Sequence, residues 1–245
     1  MKLNKLSTLL VAASTLVATS SAMAWESEDG NHSTSANVAF STDYMWRGYS
    51  QTGQEPALSG GFDYSHSSGF YAGTWASNVD FGDEASIEMD LYFGHAGETD
   101  NGIGWDVGLL RYLYPGEEYD YNEVYGFLSY SYFSVGITHG YDVYDSDTAA
   151  TYYQAGFDYE LPMGVALSAG IGYYDYEQSY VDAIWYGGTA NGGPNDAIDY
   201  RIGVSKEFVG IGFDLSYIDV DSDGAELYGD NITDGRFVFT MSKSM

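Results

Sequence analysis

The chain of 245 residues contains no cysteine, four prolines and only eight lysines and arginines. Without cysteine there is no disulfide, no Cys-ligated zinc or iron–sulfur cluster and no thiol nucleophile. Eight basic residues against 36 acidic ones leave a formal charge of −28, so no basic face exists to hold nucleic-acid phosphates. No stretch beyond the N-terminus approaches the roughly 18 apolar residues of a transmembrane helix. A phosphate-cradling glycine motif is missing too, which removes nucleotide chemistry. Disorder does not fit, because 44% of the residues are hydrophobic and 17% aromatic. What abounds is tyrosine (25) and glycine (31), a strand former and a turn former.

Met1-Lys-Leu-Asn-Lys5 is a short positive segment, Leu6 to Val17 is mostly apolar, and Ala22-Met23-Ala24 precedes Trp25. This pattern predicts a secretory signal peptide over residues 1–24, too short in its apolar run to span a bilayer. Residues 25–245 then form a single domain, because no linker, repeat or low-complexity tract divides them. Export also argues against a cytosolic nucleotide-dependent enzyme.

After residue 35 the hydrophobic period is two. Ile87, Met89, Leu91 and Phe93 alternate with Glu88, Asp90, Tyr92 and Gly94; Ile211, Phe213, Leu215 and Tyr217 alternate with Gly212, Asp214, Ser216 and Ile218. Successive side chains of a strand face opposite ways, so each segment has one apolar and one polar or small face. Twelve strands are expected: 35–46, 56–66, 69–78, 86–96, 103–114, 122–131, 133–143, 150–161, 164–176, 197–206, 210–220 and 234–244. The connections alternate between short turns and longer polar loops, and all four prolines sit in them or at a strand start. An even strand count with this rhythm predicts an all-β, transmembrane antiparallel β-barrel of the outer-membrane type. Its short turns would be periplasmic and its longer loops external. The competing reading is a secreted soluble sandwich or lipocalin-like barrel. Aromatics near strand ends (Tyr44, Trp46, Tyr112, Tyr114, Tyr173, Tyr174, Phe237) favour the membrane barrel, as rings that belong at headgroup level.

The polar parity places Asp43, Asp63, Glu88, Asp90, Asp106, Glu123, Asp158, Asp199 and Asp214 inward, with Arg47, Arg201 and Arg236 opposing them. Those twelve are the candidate pore-lining residues. Strand 69–78, aromatic on both faces, and Arg111 are the hardest to orient. Eight strands give a filled interior and sixteen an aqueous channel, so twelve imply a narrow or partly obstructed bore. Acidic walls concentrate cations and repel anions. The bland counter-reading is that the carboxylates pair with the arginines and fill the barrel. Arg47 is either a basic constriction residue or a rim arginine holding a loop carboxylate.

The segments Tyr44-Met-Trp46-Arg47-Gly48-Tyr49-Ser50-Gln51-Thr52, Phe70-Tyr-Ala-Gly-Thr-Trp75-Ala-Ser-Asn78-Val-Asp80-Phe81, Glu88-Met-Asp90-Leu-Tyr92-Phe-Gly94, Trp105-Asp106-Val-Gly108 and Tyr112-Leu-Tyr114-Pro115-Gly116 resemble the TorF-type porin family of proteobacteria. That family was long carried as conserved proteins of unknown function. The resemblance covers essentially the whole mature chain and is strongest over residues 36–126. It implies an outer-membrane β-barrel with pore activity, and it brings no substrate and no catalytic residues.

Other sites are weaker. Asp219-Val-Asp221-Ser-Asp223-Gly224, with Asp230 twelfth from Asp219, echoes a calcium loop. Its twelfth residue is not Glu, however, and its flanks are strands. It is a candidate for loose Ca²⁺ binding only, and Asp142, Asp145 and Asp147 form a still weaker one. Of the histidines (His32, His66, His95, His139), only His139 approaches the external leaflet, and no serine partner is evident, so no catalytic site is expected. No cofactor is called for. The expected function is passive diffusion of small polar solutes or cations across the outer membrane of a Gram-negative cell, with membrane lipid as the barrel's surroundings and no nucleic-acid partner. The alternative is a non-conducting barrel acting as an adhesin or structural protein through its loops, Glu177–Asp196 above all.

Overall fold

A computed structural model describes residues 25–178, 181 and 193–245. Residues 1–24, where a signal peptide is expected, and most of the loop Glu177–Asp196 lie outside the described residues. Twelve long strands form one antiparallel sheet: β1 (His32–Ser41), β2 (Ala57–His66), β3 (Phe70–Asn78), β4 (Ile87–Glu98), β5 (Ile103–Leu113), β6 (Tyr121–Tyr130), β7 (Phe133–Gly140), β8 (Ala150–Leu161), β9 (Val165–Tyr176), β10 (Asp196–Phe208), β11 (Ile211–Val220) and β12 (Arg236–Ser244), with the two residues Trp25–Glu26 paired onto β1 as a short thirteenth. Each pairs with its sequence neighbour, and β12 also pairs with β1, so the sheet closes on itself. Closure leaves no open edge, and every strand finds partners on both sides. Among the described residues no helix is long and apolar enough to cross a membrane; a barrel would cross with its strands.

The register carries the period-two pattern around the wall. Leu215 lies between Val204 and Phe239 on one face, while Asp214 lies between Ser205 and Thr240 on the other. The apolar face points out: Leu58, Phe93 and Ile202 are 63%, 58% and 56% exposed, whereas Asp106, Glu123 and Asp214 are buried. A soluble barrel would have the reverse arrangement. Exposed rings crowd both ends of the outer wall. Tyr141, Tyr153, Tyr173, Tyr200 and Phe237 stand at the loop end, and Phe70, Tyr130, Phe133, Tyr159 and Phe208 at the turn end.

Inside, glycines make room for rings. A side-chain carbon at Gly108 would fall on the Tyr125 ring, and one at Gly172 on the Tyr152 hydroxyl. These inward phenols lie flat across the neighbouring strand because nothing projects from it.

Two expectations need correction. The first strand does not run to residue 46; it stops at Ser41, and residues 43–52 fold into the barrel. The aromatic set is also divided differently. Tyr173 and Phe237 are outside, but Tyr44, Trp46, Tyr112, Tyr114 and Tyr174 are buried within. They are interior packing, with no share in the outer girdle. Arg111 points outward and reaches Asp120 at 3.3 Å. In strand β3, Tyr71 and Trp75 sit opposite inward Gly94 and Asp90, while Phe70 is exposed outside.

Candidate functional site

The interior divides into two halves. Towards the turn end its wall is small and polar: Ser134, Gln154, Gly156, Ser168 and Ser205 keep contact with solvent, and Asp158 and Glu160 are exposed. Towards the loop end it is filled. The filling comes from the first loop, whose residues Met45–Trp46 and Tyr49–Ser50 pair as a short hairpin. Every residue from Asp43 to Thr52 is buried.

The hairpin turn is Arg47-Gly48, with φ of 45° and 90°. A two-residue turn with both central residues left-handed matches the twist of its flanking strands. Glycine takes that conformation freely, whereas a non-glycine held there costs on the order of 1 kcal/mol or more and persists only where its surroundings impose it. Here the surroundings are explicit. The Arg47 guanidinium donates to both Glu123 oxygens at 2.9 and 2.8 Å. It also lies 4.1 Å from the Trp46 ring centre and 4.5 Å from those of Tyr152 and Tyr174. Planar guanidinium suits a bidentate carboxylate and stacks on aromatic faces. The side chains of the pair are only 8% and 1% exposed.

Around this pair, phenols hold the other carboxylates. Tyr44 and Tyr114 donate to the two oxygens of Glu88 at 2.7 and 2.8 Å, Tyr112 donates to Glu123 at 3.1 Å, and Tyr152 to Asp199 at 2.8 Å. Met45 is fully buried against Ile218 and Val238. Above the hairpin, Tyr49 stacks on Tyr228 with ring centres 4.2 Å apart. Tyr228 ends α1 (Ser222–Tyr228), whose N-cap is Asp221. Tyr144 of the fourth loop reaches the Tyr49 hydroxyl at 3.2 Å. Where the loop leaves β1, a gap of about 20 Å³ lies between Asp43, Tyr44, Trp75 and Thr240, room for one water, and a more open crevice of about 260 Å³ is lined by Thr42, Asp43, Asp234 and Arg236.

All twelve candidate lining residues lie on the interior, though they are not equivalent. Three are paired with arginine: Glu123 with Arg47, Asp43 with Arg236 at 2.8 Å and Asp214 with Arg201 at 3.0 Å. Asp43 also accepts from Ser50 at 2.6 Å. Asp63, Glu88, Asp106 and Asp199 are held by phenols, Asp63 by Tyr92 and Asp106 by Tyr71 at 2.6 Å. Asp90 is buried with one oxygen unpartnered, and Asp158 faces water. Arg47 is therefore neither at the rim nor facing an open bore; it is the tip of a plug.

The acidic candidate Asp219, Asp221, Asp223, Asp230 is dispersed. Asp219 accepts from Tyr200 and Tyr217 at 3.0 and 2.8 Å on the outer face. Asp221 caps α1, Asp223 lies in its first turn, and Asp230 begins the next short helix. Among the described residues no three Asp, Glu or His side chains converge on one metal position. His139 faces outward, bonded through Nδ1 to the Thr151 hydroxyl at 2.8 Å.

The plug's other members, Tyr49, Tyr152, Tyr176 and Tyr228, are not among the twelve candidates. Parity was the available signal for two of them: Tyr152 shares the inward face with Gln154, and Tyr176 with Gly172.

A family model described as a bacterial protein of unknown function (Gcw_chp) matches residues 26–245. That description does not carry the TorF name. No curated protein matches the sequence. Among solved structures, the chain resembles the KdgM porin with a TM-score of 0.52 at 7% identity, covering 86% of this chain and 97% of that one. It resembles the NanC porin with a TM-score of 0.51 at 10% identity, covering 85% and 97%. At such identities the likeness is one of fold. With a match that spans every described strand of the barrel, this chain belongs to the Gcw_chp family.

Proposed function

We propose that this protein is an outer-membrane porin-like channel for small polar solutes or ions, weakly cation-preferring, with its first loop as a removable plug. The observation that carries the reading is the inverted wall, apolar outside and lined inside with carboxylates, hydroxyls and glycines around a water-accessible turn-end half. The porin fold of KdgM and NanC and the TorF-type resemblance support it, as does the signal-peptide pattern of residues 1–24, which fits export to a Gram-negative outer membrane. Loops would then face outward and turns the periplasm, with lipid against the apolar wall. One neighbouring structure is a KdgM porin in complex with a disordered oligogalacturonate. An acidic bore repels polyanions of that kind, so the solute proposed here is neutral or cationic.

The filled loop-end half favours a second reading, a permanently closed barrel that serves as a scaffold or adhesin. Planar-bilayer recording separates the two. The channel reading expects discrete conductance steps and, in asymmetric KCl, a reversal potential on the cation side. A silent membrane supports the closed barrel, and an anion-side potential overturns the acidic-bore argument.

A further inference from the structure

The group that locks the plug is also a ready-made receptor. We propose that the wall of the bore carries a recognition site for an organic cation with a guanidinium or primary ammonium head, a site the protein fills with its own Arg47. This rests on the channel reading above and names its solute class: a cationic solute that competes for the site displaces Arg47 and frees the hairpin.

The wall supplies every contact such a head needs without the hairpin. Glu123 presents both oxygens in the plane of the guanidinium, at 2.9 and 2.8 Å, and Tyr152 and Tyr174 present ring faces at 4.5 Å. These groups come from β6, β8 and β9, strands of the wall and not of the loop. The carboxylates also leave hydrogen-bonding capacity for a cationic head. Glu88, Asp90 and Glu123 lie within electrostatic reach of one another, Arg47 pairs with Glu123 alone, and one Asp90 oxygen is buried without a partner. The aromatic faces select the type of cation. Both heads gain from ring faces, guanidinium the more because it is the more weakly hydrated, whereas a small metal ion gives up too much hydration to sit there. Arg47 itself is held in a left-handed conformation, so its departure relieves strain that a free solute does not carry.

The test empties the site and refills it. Arg47→Gly keeps the turn, because glycine accepts the same backbone angles. Purified in detergent, with heat-modifiable gel migration reporting the folded barrel, this variant is titrated calorimetrically with methylguanidinium. Urea serves as the neutral planar control. The expected result is saturable binding at least tenfold tighter than to the wild type, no binding of urea, and loss of binding in Arg47→Gly/Glu123→Gln. Methylguanidinium binding that is absent from Arg47→Gly, or unchanged by Glu123→Gln, overturns the proposal. Calorimetry needs no conduction, so a barrel that binds but never conducts removes the channel and leaves the site, while one that conducts but does not bind does the opposite.

Discussion

Replacing Tyr44–Gln51 with two glycines raises the unitary conductance of the barrel about tenfold or more, because twelve strands enclose a bore between the filled eight-stranded and the open sixteen-stranded cases. In the intact protein the hairpin occupies the middle of that bore, with Trp46 set edge-on to Tyr112 and Tyr174 and Met45 against Ile218 and Val238. Beside its base a gap against Trp75 has space for a single water, and a more open crevice of about 260 Å³ is lined by Asp43 and Arg236. The bridge from Asp43 to Thr52 is short: Gln51 already donates to the Tyr44 carbonyl at 2.7 Å, so two glycines can close the gap without pulling β1 from β2. The carboxylates left behind, Glu88 and Glu123, are then wetted, which removes the penalty of burying them. Single-channel recording in planar bilayers reads the result. A deletion variant that conducts no more than the wild type would mean that the loop-end rings close the bore without the hairpin.

Glu123→Ala produces the second large effect, an increase of about a hundredfold or more in the open fraction of single channels. Removing one partner of a buried ion pair costs roughly 3–5 kcal/mol, because the other charge is left without compensation. In a closed core that cost appears as unfolding. Here the hairpin has an exit, since the charge it carries can leave the bore for water while the twelve strands stay paired. The cost therefore appears as release of the plug. Arg47→Gly/Glu123→Ala removes both charges and keeps Met45, Trp46 and Tyr49, so its open fraction falls back towards that of the wild type, and Arg47→Gly alone completes the cycle. The non-additivity of the cycle is the measured coupling between the two side chains. If Glu123→Ala gates like the wild type, the ion pair does not hold the plug.

The wall was legible in the sequence because a strand reports its two faces one residue at a time. The alternation of Ile211, Phe213 and Leu215 with Gly212, Asp214 and Ser216 gave orientation directly, and closure into a barrel followed from the even rhythm of turns and loops. The twelve polar residues fell inside for the same reason. The plug was not legible. Tyr112 and Tyr174 were read by position, near strand ends, where rings often mark a membrane interface; their parity with Asp106, Gly108 and Gly172 pointed inward. Trp46 continued the apparent alternation of the first strand past Ser41, and Arg-Gly lacks the Asn or Asp that usually signals a two-residue turn. What turns the chain inward at residue 42 is tertiary: Arg236 on Asp43, and Glu123 from a strand 76 positions away on Arg47. The loops that complete the lid are equally non-local, and in the third loop burial and the Asp83 carboxylate raise the Tyr119 phenol above its ordinary range.

The absence of cysteine from the chain allows the hairpin to be tied in place without background chemistry. Met45 of the hairpin and Val238 of β12 are fully buried in one cluster and neither has a left-handed backbone, so a cysteine pair at these positions can tie hairpin to wall. Single-channel recording of Met45→Cys/Val238→Cys before and after addition of dithiothreitol therefore measures whether this hairpin is the gate. A silent oxidised channel that shows discrete steps once reduced is the predicted result. Currents that persist with the disulfide formed, or that never appear after reduction, would contradict it.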